Sequence, residues 1–317
     1  MYSVIFFGTS EFATPSLKAL IDDPRFSVVG IVTQPDRPKG RHQVLTASPI
    51  KELALANSIS LIQQPVQIQK KKHSSDTDQD AFTKWIKSVG ATADVFVVAS
   101  YGKILPQWLL DIPKKGCINV HGSLLPRWRG ASPIQSAIAE GDEKSGITIM
   151  MMDAELDHGP ILSTKETKLG QDETGGQLHD RLAVLGSEIL SDTIDGYLKG
   201  VISLKEQDHA HATFCRTLTR EDGEIDWNQD CRKIERKIRA YDPWPSAWTE
   251  VNGKRVKLLA SRIRPNDASY APGAKFVYNG HPSIKCDHNT VLEITRVQPE
   301  GKNPMDGDEF TKGNEWK

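Results

Sequence analysis

The chain reads as an α/β protein: a Rossmann-like, doubly wound, mostly parallel sheet followed by a C-terminal, OB-like antiparallel β-barrel. Three observations predict this. Short apolar runs alternate with helical patterns up to about residue 200. From about residue 205 the texture changes to short alternating runs separated by turn signals. The length of 317 residues also exceeds what one core serves, since single hydrophobic cores stop growing near about 250–300 residues.

The elements follow in order. "SVIFF" (3–7) is a continuous apolar run meeting "GTSEF", as a buried parallel strand meets a helix. "FATPSLKALI" then carries helical spacing at Phe12, Leu17 and Leu20. "FSVVGIVT" (26–33) predicts a second strand, "PIKELALAN" (49–57) a helix and "SLIQ" (60–63) a short third strand. "DVFVVAS" (94–100) and "CINVH" (117–121) are the fourth and fifth, "SPIQSAIAE" (132–140) a helix, and "GITIMMMD" (146–153) the sixth strand. The stretch 175–200 is one long amphipathic helix ending at Gly200. Beyond it, "RVKLLASRI" (255–263), "AKFVY" (274–278), "PSIKC" (282–286) and "VLEITRVQP" (291–299) alternate, with hairpin turns at Asn252-Gly253 and Asn279-Gly280. We place the boundary near 205–212, giving domains 1–205 and 206–317. The strand–helix alternation closes its own core by residue 200, so the first domain is expected to fold without the second. The polar segment "QKKKHSSDTDQD" (69–80) reads as a solvated loop.

Composition excludes several classes. A formal net charge of −1 offers no global attraction to nucleic acid, so any basic surface must be local. The N-terminus lacks a basic n-region, and no segment approaches the ~20 apolar residues of a membrane span. Cys117, Cys215, Cys231 and Cys286 are scattered without CxxC spacing, so reduced thiols and a cytoplasmic location are expected. "GTSEFA" is not GxGxxG and no GxxxxGK[ST] occurs, which argues against a nucleotide cofactor and a nicotinamide dehydrogenase. His209, His211 and Cys215 in "HAHATFC" read as a polar linker, and no metal is expected.

The informative stretch is "CINVHGSLLPRWRG" (117–130). Asn119 and His121 interrupt an apolar strand two residues apart, so both point to one face. At the carboxyl end of a central strand that face opens into the crevice where doubly wound sheets place ligands. Buried without partners, such groups cost ~1–3 kcal/mol each. "MMMDAELDHG" (150–159) puts Asp153, Glu155 and Asp157 just after the sixth strand, expected at the same edge. Asp157 is placed to fix the tautomer of His121. An amide, an imidazole and a carboxylate suit a reaction that develops an oxyanion and removes a proton from an attacking amine. Without a Ser or Cys in a nucleophile elbow, direct acyl transfer fits better than a covalent intermediate.

"INVHGSLLPRWRGASPIQ" (118–135), "TQPDRPKGR" (33–41), "ASYGKILP" (99–106), "ITIMMMDAELDHGPIL" (147–162), "LTREDGEIDW" (218–227) and "IRAYDPWP" (238–245) closely resemble the methionyl-tRNA formyltransferase family. The resemblance runs in order through nearly the whole chain. The Asn-x-His-x-Ser-Leu-Leu-Pro element alone indicates only the wider folate-dependent formyltransferase group; "TQPDRP", "RGASPIQ" and "DPWP" narrow it. The resemblance implies formyl transfer from 10-formyltetrahydrofolate to the α-amino group of initiator methionyl-tRNA, with Asn119, His121 and Asp157 as the catalytic trio and no metal. Ser123, Leu124, Leu125 and Pro126 would line the folate pocket, with Tyr101, Gly102, Ile104, Leu105 and Pro106 as another wall. Arg37, Lys39 and Arg41 in a Pro/Gly loop would meet the tRNA. Between 231 and 264 ten Lys/Arg stand against three Asp/Glu, so Arg232, Lys233, Arg236 and Lys237 are further tRNA candidates. Arg127, Trp128 and Arg129 form either an anchored loop or a neighbour of the methionyl end. A monomer is expected. The rival readings are a formyltransferase acting on an amino-sugar nucleotide, which shares the trio but needs no basic second domain, and an inactive RNA-binding module, which the intact trio disfavours.

Overall fold

The computed structural model describes residues 1–40, 43–68, 77–265, 269–286, 290–314 and 316. The chain forms two compact units, one of Met1–Gly130, Gly146–Thr167 and His179–Phe214, the other of Ala131–Ser145, Lys168–Leu178 and Cys215–Lys317.

Seven strands build the first sheet: β1 (Tyr2–Gly8), β2 (Phe26–Val32), β3 (Ile62–Gln63), β4 (Val95–Ala99), β5 (Cys117–His121), β6 (Lys144–Met151) and β7 (Ile161–Lys168). They lie in the order β7-β6-β5-β4-β1-β2-β3. β1 runs parallel to β2 and β4, β2 to β3, and β4 to β5. The central strands are apolar throughout because both faces are covered: Val4, Ile5, Phe6 and Phe7 are fully buried, as are Val95 to Val97. The chain leaves β1 outward through β2 and β3, then resumes on the other side at β4. That reversal opens a crevice at the carboxyl ends of the strands. Helices α1 (Thr14–Asp22), α2 (Pro49–Ala56), α3 (Thr77–Val89), α4 (Pro133–Glu140) and α5 (Gly175–Leu198) occupy the connections.

The second unit has helix α6 (Cys231–Ala240) and an antiparallel sheet of β8 (Ala247–Val251), β9 (Lys254–Pro265), β10 (Lys275–Tyr278), β11 (His281–Lys285), β12 (Thr290–Pro299) and β13 (Met305–Asp306). Its order is β8-β9-β12-β11-β10, with β13 on β12. The two Asn-Gly turns adopt positive φ at both residues, 52° and 71° at Asn252-Gly253 and 51° and 84° at Asn279-Gly280. Asp230 caps α6, accepting from the Arg232 and Lys233 amides at 2.8 and 3.3 Å. Cys231, Ile234 and Ile238 then fall on one face and pack with Val256, Leu258, Ile284, Leu292, Ile294 and Val297.

Three sequence readings change. Cys231 and Cys286 form a disulfide with Cα atoms 5.5 Å apart, against the expectation of reduced thiols. Both sit in the same buried core, at the start of α6 and just past β11, a closeness that spacing along the chain does not reveal. Strand β7 is absent from the sequence reading because its alternating pattern exposes every second residue at a sheet edge. Of the segment read as a loop, 69–76 lies outside the described residues and Thr77 to Asp80 begin α3. Within the compact units, 131–145 and 168–178 group with the C-terminal third. Arg236 of α6 lies over Gly141 at the end of α4, where its guanidinium leaves no room for a Cβ. A chain ended at residue 212 loses that packing. Limited proteolysis should therefore cut it across 131–145 faster than the full-length protein; equal protection would show that α4 needs nothing from α6.

Candidate active site

Asn119 and His121 stand at the carboxyl end of β5, with Val98 of β4 opposite Asn119 and Thr148 of β6 opposite His121. The His121 side chain is 6% exposed. Its Nε2 lies 3.0 Å from the carbonyl oxygen of Trp128. A carbonyl only accepts, so Nε2 carries the proton and Nδ1 faces Asp157 Oδ1 at 3.6 Å. Trp128, rather than Asp157, thus sets the tautomer. Asn119 Nδ2 donates to the same carboxylate oxygen at 3.4 Å, and the Gly130 amide donates to Oδ2 at 2.8 Å. Asp157 therefore meets the amide, the imidazole and a backbone N–H together.

The route by which Asp157 arrives differs from expectation. β6 is antiparallel to β5, with Met151 opposite Ile118, so its carboxyl end lies at the wrong end of β5. The segment 152–159 doubles back, closed by the Met151 amide donating to Pro160 O at 2.9 Å. Asp157 takes φ +47° within it, a conformation Asp tolerates better than most residues. Gly159 packs on the Met151 carbonyl, with no space for a side chain. Asp153 pairs with His158 Nδ1 at 2.7 Å and Glu155 is exposed, so neither joins the trio.

The loop after β5 is stiff because its polar groups are occupied. Thr148 Oγ1 donates to Ser123 O at 2.7 Å and accepts from the Leu125 amide at 3.1 Å, while Ser123 Oγ donates to Arg127 O at 2.6 Å. Ser123 and Leu125 are buried; Leu124 and Pro126 are partly exposed. The Trp128 amide donates to Thr213 Oγ1 at 2.9 Å, and the Arg129 amide to Thr213 O at 2.8 Å. The second loop follows β4, the parallel neighbour of β5. Tyr101 and Leu105 are buried, Gly102 has φ +78°, and Ile104 is 79% exposed. The Tyr101 carbonyl accepts from Thr9 Oγ1 at 3.0 Å and Gln34 Nε2 at 2.9 Å. Burial pushes the Tyr101 phenol well above its ordinary pKa, which keeps it neutral.

Arg37 and Lys39 lie on a two-stranded ribbon, Arg37–Lys39 against Val44–Thr46, beyond β2. Arg37 Nη2 donates to Gln34 Oε1 at 2.5 Å, hooking the ribbon to the Tyr101 loop. Arg41 lies outside the described residues. On α6, Arg232 and Lys233 are exposed. Arg236 reaches Glu140 O at 3.4 Å, and Lys237 Nζ donates to Glu224 O at 2.6 Å while burial lowers its pKa. Among the described residues no group of three or more His, Cys, Asp or Glu is placed to hold a metal ion, and no helix is long and apolar enough to cross a membrane. Sequence reasoning missed Thr148, Thr213 and Gln207, which hold the loops through backbone atoms and so leave no motif.

Comparison with known proteins now decides the family. Residues 1–194 match the formyl transferase family and 217–315 the formyl transferase C-terminal domain. A methionyl-tRNA formyltransferase of Bacillus subtilis is 40% identical over 315 residues, covering 99% of this chain and 95% of that protein. One from Pseudomonas fluorescens is 41% identical over 300 residues, covering 94% and 89%. The chain belongs to the methionyl-tRNA formyltransferase family. The solved N-formyltransferase of Helicobacter canadensis, in complex with folinic acid and dTDP-3-aminofucose, superposes with a TM-score of 0.66 over 94% of this chain and 100% of that one. Its 15% identity makes this a likeness of fold. The family's formyl donor is a formyltetrahydrofolate.

The Asp157 turn supplies a test of the packing. In Gly159→Ala the new Cβ meets the Met151 carbonyl, and overpacking of this kind costs about 1–3 kcal/mol. The variant should melt below its parent in a thermal scan. An unchanged melting temperature would mean that the turn has slack.

Proposed function

We propose that the protein transfers the formyl group of 10-formyltetrahydrofolate to the α-amino group of initiator methionyl-tRNA, acting as a cytoplasmic monomer. The observation that carries this reading is the meeting of Asn119, His121 and Asp157 at the end of β5 in a member of this family.

The amine attacks the formyl carbon, and negative charge gathers on the formyl oxygen. Asn119 keeps an N–H to offer that oxygen, because its carboxylate contact uses only one. His121 has Nε2 engaged by Trp128, which leaves Nδ1 to take the proton from the attacking nitrogen. The imidazolium so formed stands between a carbonyl and the Asp157 carboxylate, both of which stabilise it. Collapse breaks the bond to folate N10, and the proton passes to that nitrogen. Asp157, tied to Gly130, holds Asn119 and His121 in register throughout.

Ser123, Leu124, Leu125 and Pro126 would form one wall of the folate pocket and Tyr101, Gly102, Ile104, Leu105 and Pro106 the other. Parallel pairing of β4 and β5 supports this, since the two loops leave adjacent strands at one edge. Residues 1–205 serve as the catalytic domain and 206–317 as the tRNA-binding domain. The tRNA would meet Arg37, Lys39 and Arg41 on the ribbon, with Arg232, Lys233, Arg236 and Lys237 on α6. On the helix, Arg236 and Lys237 reach main-chain carbonyls while Arg232 and Lys233 stand exposed, so the latter pair should contribute most.

Formyl transfer from 10-formyltetrahydrofolate to charged initiator tRNA, run beside an amino-sugar nucleotide, tests the reading; transfer to the sugar alone would overturn it. Asn119→Ala, His121→Ala and Asp157→Ala should each lower turnover by ~10²-fold or more, as removal of a preorganised charge-stabilising group does. Folded variants with normal turnover would remove those residues from the mechanism. In salt titrations of tRNA binding, Arg232→Ala with Lys233→Ala should flatten the log–log slope by roughly 0.9 for each phosphate that is no longer neutralised. An unaltered slope would take the helix out of the interface.

A further inference from the structure

Two buried polar side chains beside the Asp157 turn have no part in the chemistry above. Arg129 is 4% exposed and Gln207 is 5% exposed. Gln207 Oε1 accepts from Arg129 Nε at 3.1 Å and Nη2 at 2.8 Å. Its Nε2 donates to the carbonyls of Asp157 at 2.9 Å and Gly159 at 2.7 Å. Both N–H groups and both lone pairs of the amide are thereby used. The orientation is forced, because turning the amide over would set its NH₂ against a guanidinium and its oxygen against two carbonyls. Arg129 Nη2 lies a further 2.8 Å from His209 Nδ1, which accepts from it.

The neighbouring residue does the complementary task. The Gly130 amide grips the Asp157 carboxylate while Arg129, acting through Gln207, grips the Asp157 backbone. Asp157 sits at φ +47°, a conformation that non-glycine residues keep only where their surroundings hold it. A turn relaxed out of that region would swing the carboxylate away from Gly130, Asn119 and His121.

We propose that Gln207 is a positioning residue for formyl transfer: by bridging the buried Arg129 guanidinium to the Asp157 and Gly159 carbonyls, it holds Asp157 in its left-handed conformation. This rests on the reaction proposed above. In this role Gln207 acts through Asp157.

The test uses the full-length protein with Gln207→Ala, Gln207→Glu and Asp157→Ala. Gln207→Glu is the informative variant. It keeps the volume and an acceptor for Arg129, so it preserves any purely structural role, but a carboxylate donates nothing to the two carbonyls. Both Gln207 variants should lower kcat by about tenfold or more, with KM for 10-formyltetrahydrofolate and for charged tRNA within about threefold of the parent. In the Asp157→Ala background Gln207→Glu should cost nothing further, as expected of residues acting as one unit. An unchanged kcat, full activity in Gln207→Glu, or losses that multiply in the double variant would each overturn the proposal. Should Gln207→Ala fail to fold, Gln207→Glu carries the comparison. Should the parent prove inactive on methionyl-tRNA, the proposed reaction falls instead, and a crystal structure of Gln207→Glu still decides this point. The expected result there is Asp157 out of positive φ with its carboxylate off the Gly130 amide; an undisturbed turn would sink the idea.

Discussion

At the carboxyl end of β5 His121 is buried and Asn119 half-buried, and the protein around them is arranged to supply the partners that water would otherwise give. Buried polar groups must find partners or cost stability. The Trp128 carbonyl and the Asp157 carboxylate supply them, and each lies on a segment that must bend sharply to arrive. Trp128 has φ +61°, Gly130 φ +120° and Asp157 φ +47°. Two non-glycine residues with left-handed backbone are thus concentrated around one pair of polar side chains, with a glycine between their segments. Such strain persists only where hydrogen bonds from several directions hold it, as Thr213, Thr148 and the Gly130 amide do here.

The reversed strand β6 shapes the site as much as the parallel core does. A parallel β6 would have delivered residues 152–159 directly to the ligand-binding edge. The antiparallel one brings Thr148 there instead, where its hydroxyl ties Ser123 and Leu125 in place. Residues 152–159 must then return along the face of β5, and that return needs the close approach of Gly159 to the Met151 carbonyl. The loop after β5 is held by one end of β6 and the Asp157 carboxylate is launched from the other.

Much of this is legible in the sequence, for physical reasons. The buried parallel strands announce themselves as apolar runs, and the Asn-Gly turns require positive φ that few other pairs adopt. Asn119 and His121 stand out because polar residues in an apolar strand need explaining. Asp157 is one of three nearby carboxylates, and only family resemblance separates it from Asp153 and Glu155. Gln207 escapes notice because it binds backbone atoms, which carry no residue identity, and because its partner Arg129 resembles a surface cation until its burial is seen. The Cys231–Cys286 bond hides for a similar reason. Two cysteines 55 positions apart say nothing until helix and sheet bring them into one core.

The interleaving of the two compact units bears on how the chain is made. Segments 131–145 and 168–178 leave the ribosome well before the C-terminal third with which they group. During synthesis β1 to β5 can pair with one another as they emerge, before β6 is made. Helix α4, which packs against α6, lacks that neighbour until α6 is translated. One part of the nascent chain can therefore begin to pair while another still lacks its neighbour and stays open to chaperones and proteases. The last third of the message governs the survival of a helix encoded in its middle.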